Sequence, residues 1–326
     1  MGRVIAVVNL KGGIGKTTTV VNLGAGLALR GSRVLLVDTD AQGNLAMALG
    51  AAPRRSLYEV LIDGADPNAC VHHARPNLDL LAADATLLGA VPAISTRPDW
   101  SRALSKALRP AIPNYDIILI DSGGSLTPMN INALTAASEI IAPTTVEPFA
   151  IRGVEMLIEQ LAKLHGGALR MIVPTMYDPR TRQSEELLAT LRATHGDLVA
   201  PPVRVNVRLS ESQAHGQTIY EYDPRSRGAA DYANLVEHVV QVFNIGQPAA
   251  RPAPTAPSRP LTAPGAPPAA TAAPLPAPRP AAPPPRALPT TCPNCGRPIK
   301  LATAAGYRVA FCESCHFHTQ VLLRER

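Results

Sequence analysis

Long apolar runs and targeting motifs are both missing from this sequence. No apolar run approaches the ~20 residues that a helix needs to span a bilayer, so no transmembrane segment is expected. The first apolar run leads directly into a glycine-rich segment, and we therefore do not interpret the N-terminus as a signal peptide. Ala6 stands where N-myristoylation requires Ser or Thr, which argues against modification of Gly2. We expect a cytoplasmic protein without membrane contact.

Cysteine and acidic residues are each missing from long stretches of the chain. Cys70 is the only cysteine before position 292, which suits a reducing compartment. Residues 248–289 contain no Asp or Glu, but they contain 16 of the 33 prolines and four arginines. This composition predicts a disordered or polyproline-like linker. It divides the sequence into a domain at 1–247, a linker at 248–289 and a small module at 290–326.

The formal net charge of +6 comes from the linker and the tail. Residues 1–247 contain 22 Lys and Arg against 23 Asp and Glu, so the first domain is nearly neutral. The hydrophobic content of 46% is ample for a packed core. A basic isoelectric point therefore says little about the domain surface, and a nucleic-acid site there would have to be a local patch.

A glycine-rich segment between a predicted strand at 4–8 and a predicted helix at 19–29 is the first sign of function. Its glycines, Gly12, Gly13 and Gly15, allow the backbone to curl so that several N–H groups point at one anion. The helix N-terminus adds partial positive charge at the same place. Lys16 is placed to reach the β- and γ-phosphates of a nucleotide, and the Thr17 hydroxyl to bind Mg²⁺.

Leu10 replaces the usual first glycine of this motif, and a second lysine, Lys11, begins the loop. The resulting pattern Lys-Gly-Gly-x-Gly-Lys-Thr-Thr resembles the ParA/Soj partitioning ATPases, in the deviant Walker A class that also contains MinD and the nitrogenase iron protein. The resemblance implies that Lys11 acts catalytically across a homodimer that ATP holds together. It also implies that Thr18, with the loop residues, contacts the nucleotide.

Carboxylates follow two further predicted strands. Asp38 and Asp40 end the strand at 32–40, and Asp121 ends the strand at 115–121. Carboxyl ends of parallel strands are where open α/β sheets bind ligands. By resemblance Asp40 positions the attacking water, while Asp38 and Asp121 join Thr17 around Mg²⁺.

Two departures from the family affect these carboxylate loops. Ala41 replaces a proline after Asp40, and Ser122-Gly123-Gly124 replaces Thr-Pro-Pro. Glycine lacks proline's restriction on φ, so we expect this second loop to be more mobile than in the family.

Two later segments also resemble the family. Met171–Asp178 and Val203–Glu211 are similar to its Thr-Met-Tyr/Phe-Asp and Ile-Pro-Arg-Asn-Val-Arg-Leu-Ser-Glu motifs, which implies nucleotide contacts by Met176 and Asn206. Val205 stands where the family has arginine, so any contact made by that arginine is in doubt. Similarity extends over about residues 1–243.

Seven arginines and no lysine lie between residues 180 and 227, with six acidic residues among them. Such a mixture is compatible with an ordinary ion-paired surface. The resemblance implies that Arg180 and Arg208 bind non-specific double-stranded DNA in the ATP dimer, and we add Arg225 and Arg227 as candidates. Arginine contacts to phosphate give affinity and salt dependence without sequence choice.

Four cysteines near the C-terminus form two Cys-x₂-Cys pairs separated by sixteen residues. This spacing predicts a zinc ribbon with tetrahedral S₄ coordination by Cys292, Cys295, Cys312 and Cys315. A redox-active pair is the alternative. The ribbon is not part of the usual family architecture, and its partner, a protein or DNA, is open.

Other metal and fold signals are weaker. His72 and His73 lack a third nearby ligand and are interpreted as surface residues. Helices are predicted at 56–62 and 100–108, and strands at 78–81 and 139–143. Alternating strands and helices predict a mostly parallel, doubly wound α/β sheet of the deviant Walker A P-loop NTPase type.

The functional expectation is an Mg²⁺-dependent ATPase that partitions chromosome or plasmid DNA over the nucleoid with a ParB-like partner. The alternative is a relative that positions a protein cargo or regulates secretion or polysaccharide synthesis. A MinD-like membrane switch would need a C-terminal amphipathic helix, whereas the domain passes into prolines after Val242-Phe243. An iron–sulfur reductase would need more cysteines than Cys70. Use of the fold without hydrolysis would leave Asp40 unexplained.

Overall fold

The structure is a computed structural model that describes residues 2–164, 166–246, 291–292, 296–298, 300–304, 307–311 and 318–322. It contains two units, one up to Thr255 and one from Ala256, and each is described by itself. None of the helices in the described ranges combines the length and the apolar character needed to cross a membrane.

The first unit alternates strands and helices. Its strands are β1 (Arg3–Val7), β2 (Val34–Asp38), β3 (His72–Arg75), β4 (Leu78–Leu81), β5 (Ile117–Asp121), β6 (Glu139–Thr145) and β7 (Ala168–Thr175). Its helices are α1 (Lys16–Leu29), α2 (Asn44–Ala48), α3 (Leu57–Leu61), α4 (Pro67–Cys70), α5 (Leu87–Ser95), α6 (Ala103–Leu108), α7 (Pro128–Ala136), α8 (Pro148–Leu164), α9 (Arg182–His195), α10 (Val207–Ala214), α11 (Ile219–Tyr222) and α12 (Arg227–Val242). Short 3-10 turns lie at Trp100–Arg102, Ile112–Asn114 and Gly196–Leu198.

The seven strands form one sheet in the order β3-β4-β2-β5-β1-β6-β7. Every neighbouring pair is parallel except β3 with β4. Strands β2 and β5 are buried at every position, which explains their continuous Val, Leu and Ile runs. The predicted mostly parallel α/β sheet is therefore confirmed.

Helices cover both faces of the sheet and enclose two apolar cores. On one face α1 and α12 pack against residues such as Leu36 and Leu119, and on the other α3 and α5–α8 pack against residues such as Leu35 and Ile118. Helix α1 approaches the sheet closely at Gly24, where an added Cβ would lie 2.6 Å from Leu36 Cδ2. The absence of a side chain there lets α1 lie directly over the central strands.

Strand β3 is the element that the sequence does not indicate. Its four residues, His-His-Ala-Arg, have no apolar alternation, and the strand pairs only with β4 at the sheet edge. His73 is exposed, and its Nδ1 lies 2.7 Å from Asp79 Oδ1. Within the described parts of the chain no cluster of three or more His, Cys, Asp or Glu side chains is placed to hold a metal ion.

The second unit contains the antiparallel strands β8 (Lys300–Ala304), β9 (Tyr307–Phe311) and β10 (His318–Leu322), in the order β10-β9-β8. An isolated bridge joins Thr291 to Pro298. Of the four predicted zinc ligands, Cys292 lies in the described residues and is buried, whereas Cys295, Cys312 and Cys315 lie outside them.

Candidate functional site

The loop between β1 and α1 has the backbone shape that an anion-binding loop needs. Gly13 (φ 71°) and Gly15 (φ 87°) lie in the left-handed region, where glycine is strongly favoured. Gly15 caps α1 without a side-chain hydrogen bond, so N–H groups of the first turn are available to a ligand. A Cβ on Gly12 would meet nothing within 4 Å, so the loop surface is open.

Lys16 is the charged side chain beneath this loop. It is 7% exposed, and its Nζ donates a hydrogen bond of 2.8 Å to the Lys11 carbonyl oxygen. Burial lowers the pKa of Lys16, and the charges of Asp121 and Asp40 partly oppose that effect. A buried ammonium with spare donors beside open N–H groups favours a polyanionic ligand.

Two buried carboxylates face the loop from neighbouring strands. Asp38 and Asp121 are direct partners in the β2–β5 register. Burial raises the pKa of both carboxyls, because it disfavours their charged forms. Asp121 Oδ2 accepts a hydrogen bond of 2.7 Å from Thr17 Oγ1. Asp38 accepts from the backbone N–H groups of Asp40 (2.9 Å) and Leu45 (3.1 Å).

This set of oxygen atoms fits Mg²⁺, which prefers carboxylate and hydroxyl ligands. Thr17 and Asp121 already touch each other, as two side chains that share one ion or its hydration shell would. Both oxygens of Asp38 are engaged by backbone N–H groups, although each keeps a second lone pair. Asp38 is therefore suited to a supporting contact behind Asp121.

Asp40 follows strand β2 and lies close enough to Lys16 for its charge to act on that ammonium. It is partly exposed, and its Oδ1 accepts a hydrogen bond of 3.1 Å from the Gln42 N–H. Its other oxygen lies beside Gly123, 3.5 Å from where a Cβ on that glycine would be. The carboxylate oxygen Oδ2 thus faces the loop that follows β5, and within the described part of the chain no hydrogen bond engages it.

The loop after β5 is held against the phosphate loop. Asn130 accepts from the Gly123 N–H (3.1 Å) and donates to the Gly123 carbonyl (2.9 Å). A Cβ on Gly124 would lie 2.8 Å from Gly12 Cα, so only glycine allows this approach. The second glycine therefore has a packing role in addition to the freedom expected from sequence. The greater mobility of the loop after β5, compared with the family, stays a prediction.

Lys11 is the second lysine of the phosphate loop. Its Nζ forms an ion pair of 2.8 Å with Glu147 Oε2, and both side chains are largely exposed. Exposed pairs of this kind are weak. Lys11 can therefore exchange Glu147 for another anion at small cost.

A cavity of about 610 Å³ borders the phosphate loop, Lys16, Thr17 and Asp40. Its lining includes Gly12, Gly13, Gly15, Lys16, Thr17, Thr18, Asp40, Gln42, Asn44, Met47, Ala48, Ser122, Gly124, Met176, Ser210, Gln213 and Ala214. The contributions of α2 and of α10, such as Met47 and Gln213, were not predicted, because no local pattern brings those helices to the loop.

A smaller cavity of about 190 Å³ adjoins the first and is lined by Met176, Val205, Asn206 and Tyr232 among others. Gly15, Thr18, Met176 and Ser210 line both cavities, so a single ligand can extend between them. Met176 has φ 52°, an unusual conformation for a non-glycine residue, and its side chain is 49% exposed. The predicted nucleotide residues Met176 and Asn206 thus lie together in the lining of the smaller cavity.

Arg204 stands beside Val205, the position of the family arginine, and lines the smaller cavity. Its guanidinium binds Asp231, with Nη2 2.6 Å from Oδ1, and its backbone N–H donates to the same carboxylate at 3.0 Å. Val205 itself is 60% exposed. Arg204 is therefore a structural link to α12.

The four candidate DNA-binding arginines lie in two separate regions of the surface. Arg208 binds Glu211 at 2.8 Å and lies 3.5 Å from Asp223, whose carboxylate also accepts the Arg225 backbone N–H. Arg227 begins α12 two residues later, and all three side chains are exposed. Arg180 lies apart on the loop after β7, exposed and paired with Asp178 at 2.8 Å.

Comparisons with known proteins agree with this geometry. Residues 2–171 match the AAA domain family. The sporulation initiation inhibitor protein Soj of Bacillus subtilis is 41% identical over 73% of this chain and 98% of its own length. The chromosome-partitioning ATPase Soj of Thermus thermophilus is 40% identical over 73% of this chain and 95% of its own.

A solved structure shows the same fold with a ligand. It is the cobyrinic acid a,c-diamide synthase of Mycobacterium smegmatis with bound ATP analogue and magnesium, 32% identical, with a TM-score of 0.65 over 75% of this chain and 96% of the other. Sequence identity, coverage and fold agree with the phosphate loop and carboxylates described above. The chain therefore belongs to the ParA/Soj family of P-loop ATPases.

Proposed function

We propose that this protein is an ATP-dependent dimerising ATPase that binds DNA without sequence preference and partitions chromosome or plasmid DNA with a ParB-like partner. The observation that carries the proposal is one cavity that joins an open phosphate loop, Lys16 and the partly exposed carboxylate of Asp40. The name of the Thermus thermophilus relative, a chromosome-partitioning ATPase, supports the partitioning role. The proposed place of action is the cytoplasm, on the nucleoid.

In this proposal the phosphates lie on the N-terminus of α1. Loop N–H groups from Gly12 to Thr18 bind phosphate oxygens, and Lys16 exchanges the Lys11 carbonyl for the β- and γ-phosphates. Thr17 and Asp121, supported by Asp38, would hold Mg²⁺, which would neutralise charge on the β- and γ-phosphates. The smaller cavity at Met176 and Asn206 receives the base.

Asp40 is the proposed catalytic carboxylate. Its position at the cavity mouth allows it to orient a water molecule toward the terminal phosphate and to accept a hydrogen bond from it. Lys16 then stabilises charge on the leaving phosphate oxygens. The hydrogen bond from the Gln42 N–H keeps the carboxylate in place.

The proposed dimer forms over the cavity mouth. Three large apolar residues in the lining of the two cavities are more than 40% exposed, namely Met47, Met176 and Val205. A partner that covered these side chains would remove their apolar surface from water. Lys11, released from Glu147, would then contact phosphates bound to the second copy.

The first prediction separates ATP binding from hydrolysis. Lys16→Ala should abolish ATP binding, because it removes the buried cation that faces the phosphates. Asp40→Ala should bind ATP normally but hydrolyse it about 10²-fold or more slowly, a common effect of removing a general base, and remain dimeric. Size-exclusion chromatography with ATP and an ATPase assay measure both variants. A monomeric Asp40→Ala protein that still hydrolyses ATP would overturn the mechanism.

The proposed DNA surface consists of Arg208, Arg225 and Arg227, with Arg180 as a second contact. The ion pairs of Arg180 and Arg208 are exposed, so phosphate can replace their carboxylate partners without burying an unpaired charge. Among the described residues no ion pair engages the side chains of Arg225 and Arg227, which leaves both free for phosphate.

A second prediction tests this surface. Arg208→Ala should weaken binding to all DNA sequences alike and should reduce the salt slope by about 0.9 for each phosphate that the variant no longer neutralises. ATP-dependent dimerisation should be unchanged. Arg109→Ala is the matched control, because Arg109 is exposed near Gly2 and Ile117, where strands β1 and β5 begin, at the opposite edge of the sheet. Equal reductions of affinity in the two variants, measured by fluorescence anisotropy over a salt series, would reject the assignment.

We also propose that the C-terminal unit binds zinc through Cys292, Cys295, Cys312 and Cys315. Support comes from the spacing and from the tight turn at Cys292, whose N–H donates to the Arg297 carbonyl (2.8 Å) while its carbonyl accepts from the Gly296 N–H (2.8 Å). The linker at 248–289 would tether such a ribbon to the first domain. A partner that binds the ribbon would therefore be present at a raised local concentration near that domain.

Metal analysis of the purified chain tests this third prediction. We expect one zinc ion per chain, and no zinc in Cys312→Ser, because three thiolates leave the tetrahedral site incomplete. Cys70→Ser is the control, because Cys70 is buried in the apolar core of the first unit and should not affect zinc. Zinc that persists in Cys312→Ser would disprove the ligand set.

A further inference from the structure

A hydrogen bond links the phosphate loop directly to α10. Gln213 Nε2 donates to Thr18 Oγ1 at 2.9 Å, across 195 positions of sequence. Thr18 lies in the first turn of α1 and lines both cavities, and Gln213 lines the larger one. The hydrogen bond therefore lies at the place where the phosphate end of a ligand meets the protein.

Helix α10 has two functional faces. Ser210, Gln213 and Ala214, spaced three and four residues apart, face the larger cavity. Arg208 and Glu211 lie on a different face and are ion-paired to each other. One helix of eight residues thus has the ligand cavity on one side and the proposed DNA contact on the other.

Two further interactions fix the segment that follows this helix. Asn22 on α1 accepts a hydrogen bond of 2.8 Å from the Ile219 N–H, and its amide donates to the Thr18 carbonyl at 2.9 Å. Gly216 lies against Gly50, where an added Cβ would be 2.6 Å from Gly50 Cα. The segment after α10 is therefore held in place, while the helix itself contacts α1 through Gln213.

We propose that Gln213 is a positioning residue that couples nucleotide binding at the phosphate loop to the placement of α10, and through it to DNA binding by Arg208. This inference rests on the proposed function. Gln213 does not need to touch the reacting atoms, because it acts through the Thr18 hydroxyl.

The physical basis is the double role of that hydroxyl. Thr18 Oγ1 accepts one hydrogen bond from Gln213 and still has its own proton to donate. When the hydroxyl donates to a phosphate oxygen, its oxygen becomes a better acceptor, so the bond from Gln213 is strengthened. Nucleotide binding therefore favours the position of α10 in which Gln213 reaches Thr18.

A mutant cycle tests the coupling. The quantity measured is the ratio of DNA affinities with saturating ATP and without nucleotide, for wild type, Gln213→Leu, Thr18→Val and the double variant. We expect Gln213→Leu to lower this ratio by at most about fivefold per subunit, because the loss of one whole hydrogen bond is the upper bound on the coupling. The double variant should fall no further than Thr18→Val. Gln241→Leu, on the exposed side of α12, is the matched control and should keep the wild-type ratio.

Hydrogen exchange supplies a readout that does not depend on DNA. In the wild type ATP should slow exchange of amides 207–214, whereas in Gln213→Leu it should slow only those at 12–18. If Gln213 only stabilised α10, the Gln213→Leu variant would show faster amide exchange in α10 by the same factor with and without ATP. ATP protection of α10 that is the same in Gln213→Leu and in wild type would overturn the inference. The inference would also be overturned if the reduction of the affinity ratio in the double variant equalled the product of the reductions in the two single variants. Wild-type DNA binding that does not respond to ATP would instead refute the proposed function, and exchange would still decide the coupling.

Discussion

The structure depends on the burial of like charges at one edge of the sheet. Asp38 and Asp121 are partners on adjacent parallel strands, and both are almost fully buried. Two desolvated carboxylates this close repel each other, so the fold must either leave them partly protonated or surround them with donors and cations. The Thr17 hydroxyl and several backbone N–H groups provide donors, and Lys16 provides the only buried cation among the described residues.

The burial of these charges lowers the stability of the folded protein without a ligand, and a ligand of complementary charge would reverse that loss. The same desolvation that raises the carboxyl pKa values lowers the pKa of Lys16, so each charge is unfavourable alone. A metal ion with polyphosphate would satisfy Lys16 and the carboxylates together. Ligand binding is then linked to relief of an electrostatic cost that the folded chain already carries.

Much of the site could be predicted from sequence because it consists of short motifs that follow strands. The order of these motifs along the chain determines where they lie in a parallel sheet. A strand followed by glycines, Lys16 and Thr17 has one common geometry, and strands ending in Asp38 and Asp121 must share an edge in a parallel sheet. The chain order alone brings these residues together. The family resemblance then supplied their expected roles.

The remaining features depend on contacts between distant segments. Nothing near Gln213 in the sequence points to Thr18, and nothing near Arg204 points to Asp231, since each pair meets only after α1, α10 and α12 have packed. The positive φ of Met176 also has no local sequence signal. Predicted ligands Cys295, Cys312 and Cys315 lie outside the described residues, so the zinc site stays a prediction.

The most direct test of the buried-charge explanation is thermal unfolding of wild type and Asp121→Asn, with a non-hydrolysable ATP analogue, with and without Mg²⁺. Without metal, Asp121→Asn should melt no lower than wild type, because one of two repelling carboxylates has become neutral. With Mg²⁺ and nucleotide at 100 times Kd, the free energy of unfolding of wild type should rise by about 2.7 kcal/mol, and the variant should show little of that rise. An Asp121→Asn protein that is clearly less stable without metal, yet is stabilised as much as wild type with it, would contradict the central claim.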